Sequence, residues 1–198
     1  MLKPNNYDNV STSGDFTPIE PGGHHLIIKK VEESVSKAGK EMIIVAFDMA
    51  PGDSQPGYFS KQFAADIRPD KKWPRSGRQY IVATDKDGNA AKSFKSFITS
   101  VEKSNSGFVT QWGNNFGAQF KNKRVGGVFG KVDNEYNGKV TARTELRWFC
   151  ADDKVEGARI PDHKRLPNTN TTVPAPASDP ELDGFLSIPD GSEEEIPF

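Results

Sequence analysis

Aromatic and basic side chains alternate along this chain in a way that suits one chemistry, the grip of a flexible polyanion with exposed flat bases. Trp73 sits among Arg68, Lys71, Lys72, Arg75 and Arg78; Trp112 and Phe116 precede Lys121, Lys123 and Arg124; Tyr136 lies between Lys131 and Lys139; Arg143 and Arg147 follow on one strand. Phosphates demand cations and unstacked bases lie flat on π surfaces, so a nucleic acid single strand needs this mixture. Each residue also has a plainer reading. Trp112 and Trp148 serve a core as readily as a ligand, and Phe94, Phe97 and Phe129 are assigned to the core. Arg143 and Arg147 can pair with Glu145 or Glu135 on a solvated strand face. Trp73, between a charged run and Pro74, leans toward the surface.

Other chemistries find little support. Cys150 is the only cysteine, which excludes an internal disulfide and a cysteine-built zinc site within one chain. It falls where a strand ends and reads as a half-buried strand residue, not a nucleophile. His24 and His25 point to opposite faces of a strand and cannot chelate one metal together, while His163 stands apart. Gly126-Gly-Val-Phe-Gly130 precedes Lys131, but its spacing fits neither of the phosphate-binding loops; close strand packing or a bulge accounts for it better. The carboxylates show no repeated two-metal pattern. The expectation is a protein that is not an enzyme, with no catalytic residues, no metal and no cofactor.

Charge divides the chain. Residues 1–150 carry 22 Lys or Arg against 16 Asp or Glu, a balance of +6, and residues 151–198 carry 4 against 11, a balance of −7, which together give the net −1. A basic body thus carries an acidic tail. The last nine residues, Asp190-Gly-Ser-Glu-Glu-Glu-Ile-Pro-Phe198, form neither helix nor strand, because Pro197 removes a donor and like charges repel. Such a stretch acts as a ligand. Glu193, Glu194 and Glu195 followed by Ile196, Pro197 and Phe198 suit a small basic and hydrophobic pocket on another protein. A solvated acidic terminus is the bland alternative.

The elements that must position these groups follow from periodicity. Residues 1–21 read as an irregular N-terminal arm that packs at most through Phe16 and Ile19. Residues 24–31 and 42–49 form a central hairpin about the Ser36-Lys-Ala-Gly-Lys40 turn. Residues 58–63 are expected to be a third short strand, although the four-residue spacing of Phe59 and Phe63 also fits a helical turn. Residues 68–78 form a proline-broken basic loop, and 79–84 lead to the turn at Asp85-Lys-Asp-Gly88. The spacing of Phe94, Phe97, Ile98 and Val101 predicts a helix over 91–103. Two last strands, 125–132 and 139–149, flank Asn137-Gly138, a strong hairpin signal. Alternation puts Thr141, Arg143, Glu145, Arg147 and Phe149 on one face of the second, with Leu146 and Trp148 on the other. Residues 151–180 read as a flexible linker and 181–198 as an acidic partner-recruiting tail, since their composition buries too little apolar area to offset ordering entropy. The fold class expected is mainly β, an OB-like barrel of five to six strands over residues 22–150 with one inserted helix. Without a signal-peptide core or an apolar run of spanning length, the reading is a soluble cytoplasmic protein with no membrane partner.

Two resemblances follow from particular residues. Gly22-Gly-His-His-Leu-Ile-Ile-Lys-Lys-Val31 with Met42-Ile-Ile-Val-Ala-Phe-Asp-Met49, Phe94-Lys-Ser-Phe-Ile-Thr-Ser-Val-Glu-Lys-Ser-Asn105, Val125-Gly-Gly-Val-Phe-Gly130 and Glu135-Tyr-Asn-Gly138 resemble a phage-type single-stranded-DNA-binding protein of Gram-positive phages and prophages. The similarity spans most of residues 15–150 and implies an OB-like domain, phage DNA replication, recombination or repair, and a phage-encoded protein in a bacterial cytoplasm. His25 departs from it, standing where such domains often carry an aromatic. Glu193-Glu-Glu-Ile-Pro-Phe198 separately resembles the tip of bacterial single-stranded-DNA-binding proteins, which implies recruitment of phage or host replication and recombination proteins. The expected function is sequence-tolerant coating of single-stranded DNA, with the acidic tail competing for the basic body. A non-catalytic adaptor or recombination mediator whose barrel binds protein is the alternative. Oligomerisation is possible and is left open.

Overall fold

The computed structural model describes Leu2, Lys3, Tyr7 and residues 17–166. Five strands, β1 (Gly22–Val35), β2 (Glu41–Met49), β3 (Arg78–Val82), β4 (Arg124–Tyr136) and β5 (Lys139–Cys150), form one antiparallel sheet in the order β3-β2-β1-β4-β5. β1 is central because its length serves two neighbours: Leu26 to Val35 pair with β2, and Gly22 to Ile27 pair with β4. The register slips between Ile28 and Lys30, which bends the strand and lets the sheet curl. Inside the curl lie Phe47, Phe59, Phe97, Phe120 and Phe129, all fully buried. Each such side chain contributes roughly 1.5–3 kcal/mol when removed from water.

A helix, α2 (Lys92–Ser104), buries Phe94, Phe97, Ile98 and Val101 along the stripe their spacing predicts. It lies against β3, β4 and β5. Among the described residues no ladder joins the edge strands β3 and β5. The sheet is therefore open, and the helix occupies the opening. The mainly-β class agrees with the reading from sequence, but the sheet is open and two helices interrupt the strands where one was expected.

Residues 58–63 depart from it. They belong to a short helix, α1 (Tyr58–Ala65), rather than a strand. Its first turn is satisfied from a distance: the buried Asp48 accepts the N–H of Phe59 at 2.9 Å and of Ser60 at 3.3 Å, and also the Ser60 hydroxyl. A carboxylate at a helix N-terminus meets both the orphan donors and the helix dipole.

β5 also breaks strict alternation. Val128 faces Trp148 and Phe129 faces Leu146, so Arg147 is the extra residue of a bulge. Leu146 and Phe149 consequently both enter the core at 7 % exposure, while Trp148 is left 38 % exposed. Arg147 and Phe149 do not share a face.

The chain does not leave the body at Cys150. Residues 151–166, whose composition reads as linker, cross the outer surface of the sheet and stay on it. Ala151 and Val155 are buried, and Lys164 adds to β4 where that strand runs past the start of β1, donating to Lys131 O at 3.0 Å and accepting from Asp133 N at 2.9 Å. His163 bonds Asp133 at 2.7 Å. The glycines of β1 and β4 make the close crossing possible. A Cβ on Gly23 would stand 2.1 Å from the Val155 carbonyl oxygen, and one on Gly130 would stand 2.4 Å from Pro161 Cγ. The N-terminal arm docks through Ile19, 5 % exposed, as expected; Phe16 lies outside the described residues.

One buried ion pair fastens the loop after β2. His24, 2 % exposed, directs Nδ1 to Asp53 at 2.9 Å and Nε2 to the Glu20 carbonyl at 2.8 Å. Both partners accept, so both ring nitrogens donate and the imidazole is cationic. Burial opposes that charge, but the hydrogen bond to Asp53, the Glu20 carbonyl and the nearby carboxylates outweigh it and raise the His24 pKa. No helix among the described residues is long and apolar enough to cross a membrane.

Candidate nucleic-acid interface

The basic loop between α1 and β3 is less free than its sequence suggests. Arg68 forks onto Asp66, with Nε 3.0 Å from one carboxylate oxygen and Nη2 2.7 Å from the other. This bond holds the Asp66 carboxyl at about 2 and offsets the Arg68 charge. Lys71 places its ammonium 4.8 Å above the Phe63 ring, a cation–π contact. Trp73 is half-buried against the core. Its indole N–H is shared between the carbonyls of Phe47 at 3.2 Å and Gly77 at 3.1 Å, and its ring leans on Phe63 with centroids 5.6 Å apart. Trp73 thus anchors the loop to the sheet. Lys72 is half-exposed and Arg75 exposed.

Where this loop enters β3 it reaches the outer face of the sheet. Register aligns Arg78 with Ala46 and Lys30, and Tyr80 with Ile44 and Glu32. These side chains share the face turned away from the core, since their neighbours Val31, Val45 and Ile81 fill it. Lys30 pairs with Glu32. Arg78 and Tyr80 are half-buried, and the Arg78 Nε lies buried with no hydrogen-bond partner. Tyr80 and Lys30 were not singled out from sequence. Their signal is the alternation of β1 and β3, which puts Tyr80, Arg78 and Lys30 on one face of the sheet.

A second aromatic group surrounds Trp112. Its ring lies flat on Phe116, centroids 5.3 Å apart and planes 19° apart, and leans on Phe94 at 6.2 Å; Phe116 in turn meets Phe120 at 5.1 Å. Phe116 is 7 % exposed and Trp112 is 69 % exposed. Phe116 is therefore the support and Trp112 the surface. Gln119 stiffens the loop, accepting from Gln111 N at 2.8 Å and donating to the carbonyls of Gln111 and Phe116 at 2.7 and 2.8 Å. Glu102 accepts Thr110 N at 3.0 Å. Of the following cations, Lys121 is exposed, Lys123 lies 4.6 Å over the Phe108 ring, and Arg124 stands 3.7 Å from Asp152.

The β4–β5 hairpin carries the third group. Asn137 and Gly138 both have positive φ, 50° and 72°, the two-residue turn that matches strand twist. Tyr136 faces Lys139 across that turn and is 73 % exposed. By alternation Tyr136, Lys139 and Arg143 share the outer face, whereas Lys131 continues the side of Phe129. Lys131, Lys139 and Arg143 are exposed. Arg147 is half-buried in its bulge, its Nη1 3.5 Å from the Asp162 carbonyl, and desolvation lowers its pKa.

Burial, then the charges of Asp152 and Asp153, push the Cys150 thiol up to about 11, which leaves little thiolate. His25 bonds Asp152 at 2.7 Å. Among the described residues no three His, Cys, Asp or Glu side chains gather as metal ligands. Glu193, Glu194, Glu195, Ile196, Pro197 and Phe198 lie outside the described residues. Compared with known proteins, the chain matches no family model, and no curated protein matches it.

Proposed function

We propose that this chain binds single-stranded DNA without sequence preference, and that its acidic end recruits protein partners and competes with DNA for the basic body. The observation that carries the reading is Trp112, a large ring kept 69 % exposed and braced flat by Phe116 and a glutamine-clamped loop. An indole held open and pre-set costs little to order when a base stacks on it, and such stacking contributes about 1–3 kcal/mol per base. Tyr136 at the hairpin tip and Tyr80 on the sheet face supply further flat surfaces, with Arg78, Lys139 and Arg143 for phosphates. The architecture supports the same reading, since five antiparallel strands in one partly open curl are the framework on which OB-type modules bind oligonucleotides. The resemblance to phage single-stranded-DNA-binding proteins points the same way. In this assignment Trp73 and Phe116 hold the site in place, and bases stack on Trp112 and Tyr136.

Titrating a labelled poly-dT oligomer into the protein quenches Trp112 fluorescence if the reading holds, and Trp112→Ala weakens binding with little change in fold. Removing residues 190–198 tightens DNA binding and abolishes partner recruitment; weaker binding after removal contradicts the competition. A chain that ignores oligonucleotides at low salt is instead an adaptor that uses the same exposed rings on protein.

A further inference from the structure

Among the described residues, strand edges without a neighbouring strand include the outside of β3, the part of β4 beyond Gly22, the outside of β5, and the β4 side of β1 past Ile27, where Lys123 and Asn122 bond Ile28 and residues 116–120 pack alongside. Bare edges pair with other strands unless they are short, covered or broken. The β3 edge is five residues long and lies beside α2. The β4 edge is covered at Val132 by Lys164. α2 also packs on β5, where Phe97 meets Phe149, but residues 139–143 near the hairpin are exposed. Among the described residues, residues 139–145 take backbone hydrogen bonds only from β4, contain no proline, and precede the bulge at Arg147.

We propose that this edge pairs with the same edge of a second copy, antiparallel, about a twofold axis at Ala142. Charge selects that register among those whose ladder ends before the bulge: an axis at Thr144 also sets Arg143 against Glu145, but it carries the pairing into Arg147. Residues facing each other across an antiparallel pair share a face, so a twofold axis normal to the sheet must fall on a residue. With the axis at Ala142, Lys139 faces Glu145 of the second copy twice over, Val140 faces Thr144 and Thr141 faces Arg143. Moving the axis to Thr141 sets Lys139 against Arg143; moving it to Arg143 sets that residue against itself and Lys139 against Arg147. Like charges opposite one another destabilise a pair, and unlike charges support it. The joined sheet brings Tyr136, Lys139 and Arg143 of both copies onto one continuous face. The pairing does not depend on DNA, so it and the binding proposal can fail separately.

Sedimentation velocity of the full chain over a concentration series, without nucleic acid, is expected to reveal a monomer–dimer equilibrium. Glu145→Lys weakens it about tenfold or more, because two attractive cross-strand pairs become repulsive. Lys139→Glu combined with Glu145→Lys restores it. In a Cys150→Ser background, Ala142→Cys oxidises to a covalent dimer much faster than Val140→Cys. A chain that stays monomeric throughout, a Glu145→Lys variant that associates like the parent, or equal cross-linking at positions 140 and 142 overturns the proposal.

Discussion

Trp73 stands within a run of lysines and arginines and Trp112 nine residues before another, and the fold uses the two in opposite ways. Trp73 turns its N–H inward to the carbonyls of Phe47 and Gly77 and packs on the core. Trp112 leaves most of its ring in solvent and rests one face on Phe116. An indole brings a large apolar surface and a single donor. Whichever tryptophan satisfies its donor in the core becomes a fastener, and the other remains available. Proximity to basic residues does not decide which.

The largest effect that tests this contrast is on stability. Trp73→Ala should lower the unfolding free energy by about 3 kcal/mol in urea denaturation, through the cavity left and the carbonyls stripped of a donor. Trp112→Ala should lose far less. The next effect is on binding: Trp112→Ala should cost about 1–3 kcal/mol of affinity for poly-dT, while a folded Trp73→Phe variant should keep most of it. Equal losses in both assays for both residues would break the comparison.

The same division holds for ion pairs. His24 and Asp53 are buried, and their partners raise the pKa of the first and lower that of the second. The His24 contribution is whole below its ordinary value of 6.5 and fades as pH rises through the raised value; that of Asp53 is whole above 3.8 and is lost on acidification. The urea midpoint of the parent should therefore fall as pH rises above neutrality, and His24→Gln should flatten that fall. Arg68 and Asp66 form an exposed pair that bears on binding instead. Asp66→Asn frees the guanidinium, so affinity should rise a few-fold at low salt and the slope of log affinity against log salt should steepen by about 0.7. This is the smallest of the expected effects.

Much of the scaffold was legible because its signals are local. The apolar spacing of Phe94, Phe97, Ile98 and Val101 marks α2, and Asn137-Gly138 marks the last hairpin. The features that escaped depend on distant partners. α1 is capped by Asp48, eleven residues before Phe59, and within residues 58–63 only the four-residue spacing of Phe59 and Phe63 points to it. The bulge at Arg147 is a property of β4 and β5 together. Residues 151–166 look like linker by composition, but the glycines that admit them sit in β1 and β4. For the candidate site, sequence located the aromatic and basic groups but could not separate Trp112 from its support Phe116, and it passed over Tyr80, whose place on the outer face beside Arg78 follows only from the pairing of β3 with β2.

The most direct test of single-strand binding is an equilibrium titration of a labelled poly-dT oligomer at two salt concentrations, with a duplex of equal length beside it. The account predicts tight binding to the single strand at low salt, a decline of about 0.7 in log affinity per log salt for each phosphate held, and much weaker duplex binding. No binding at low salt, or equal affinity for the duplex, contradicts it.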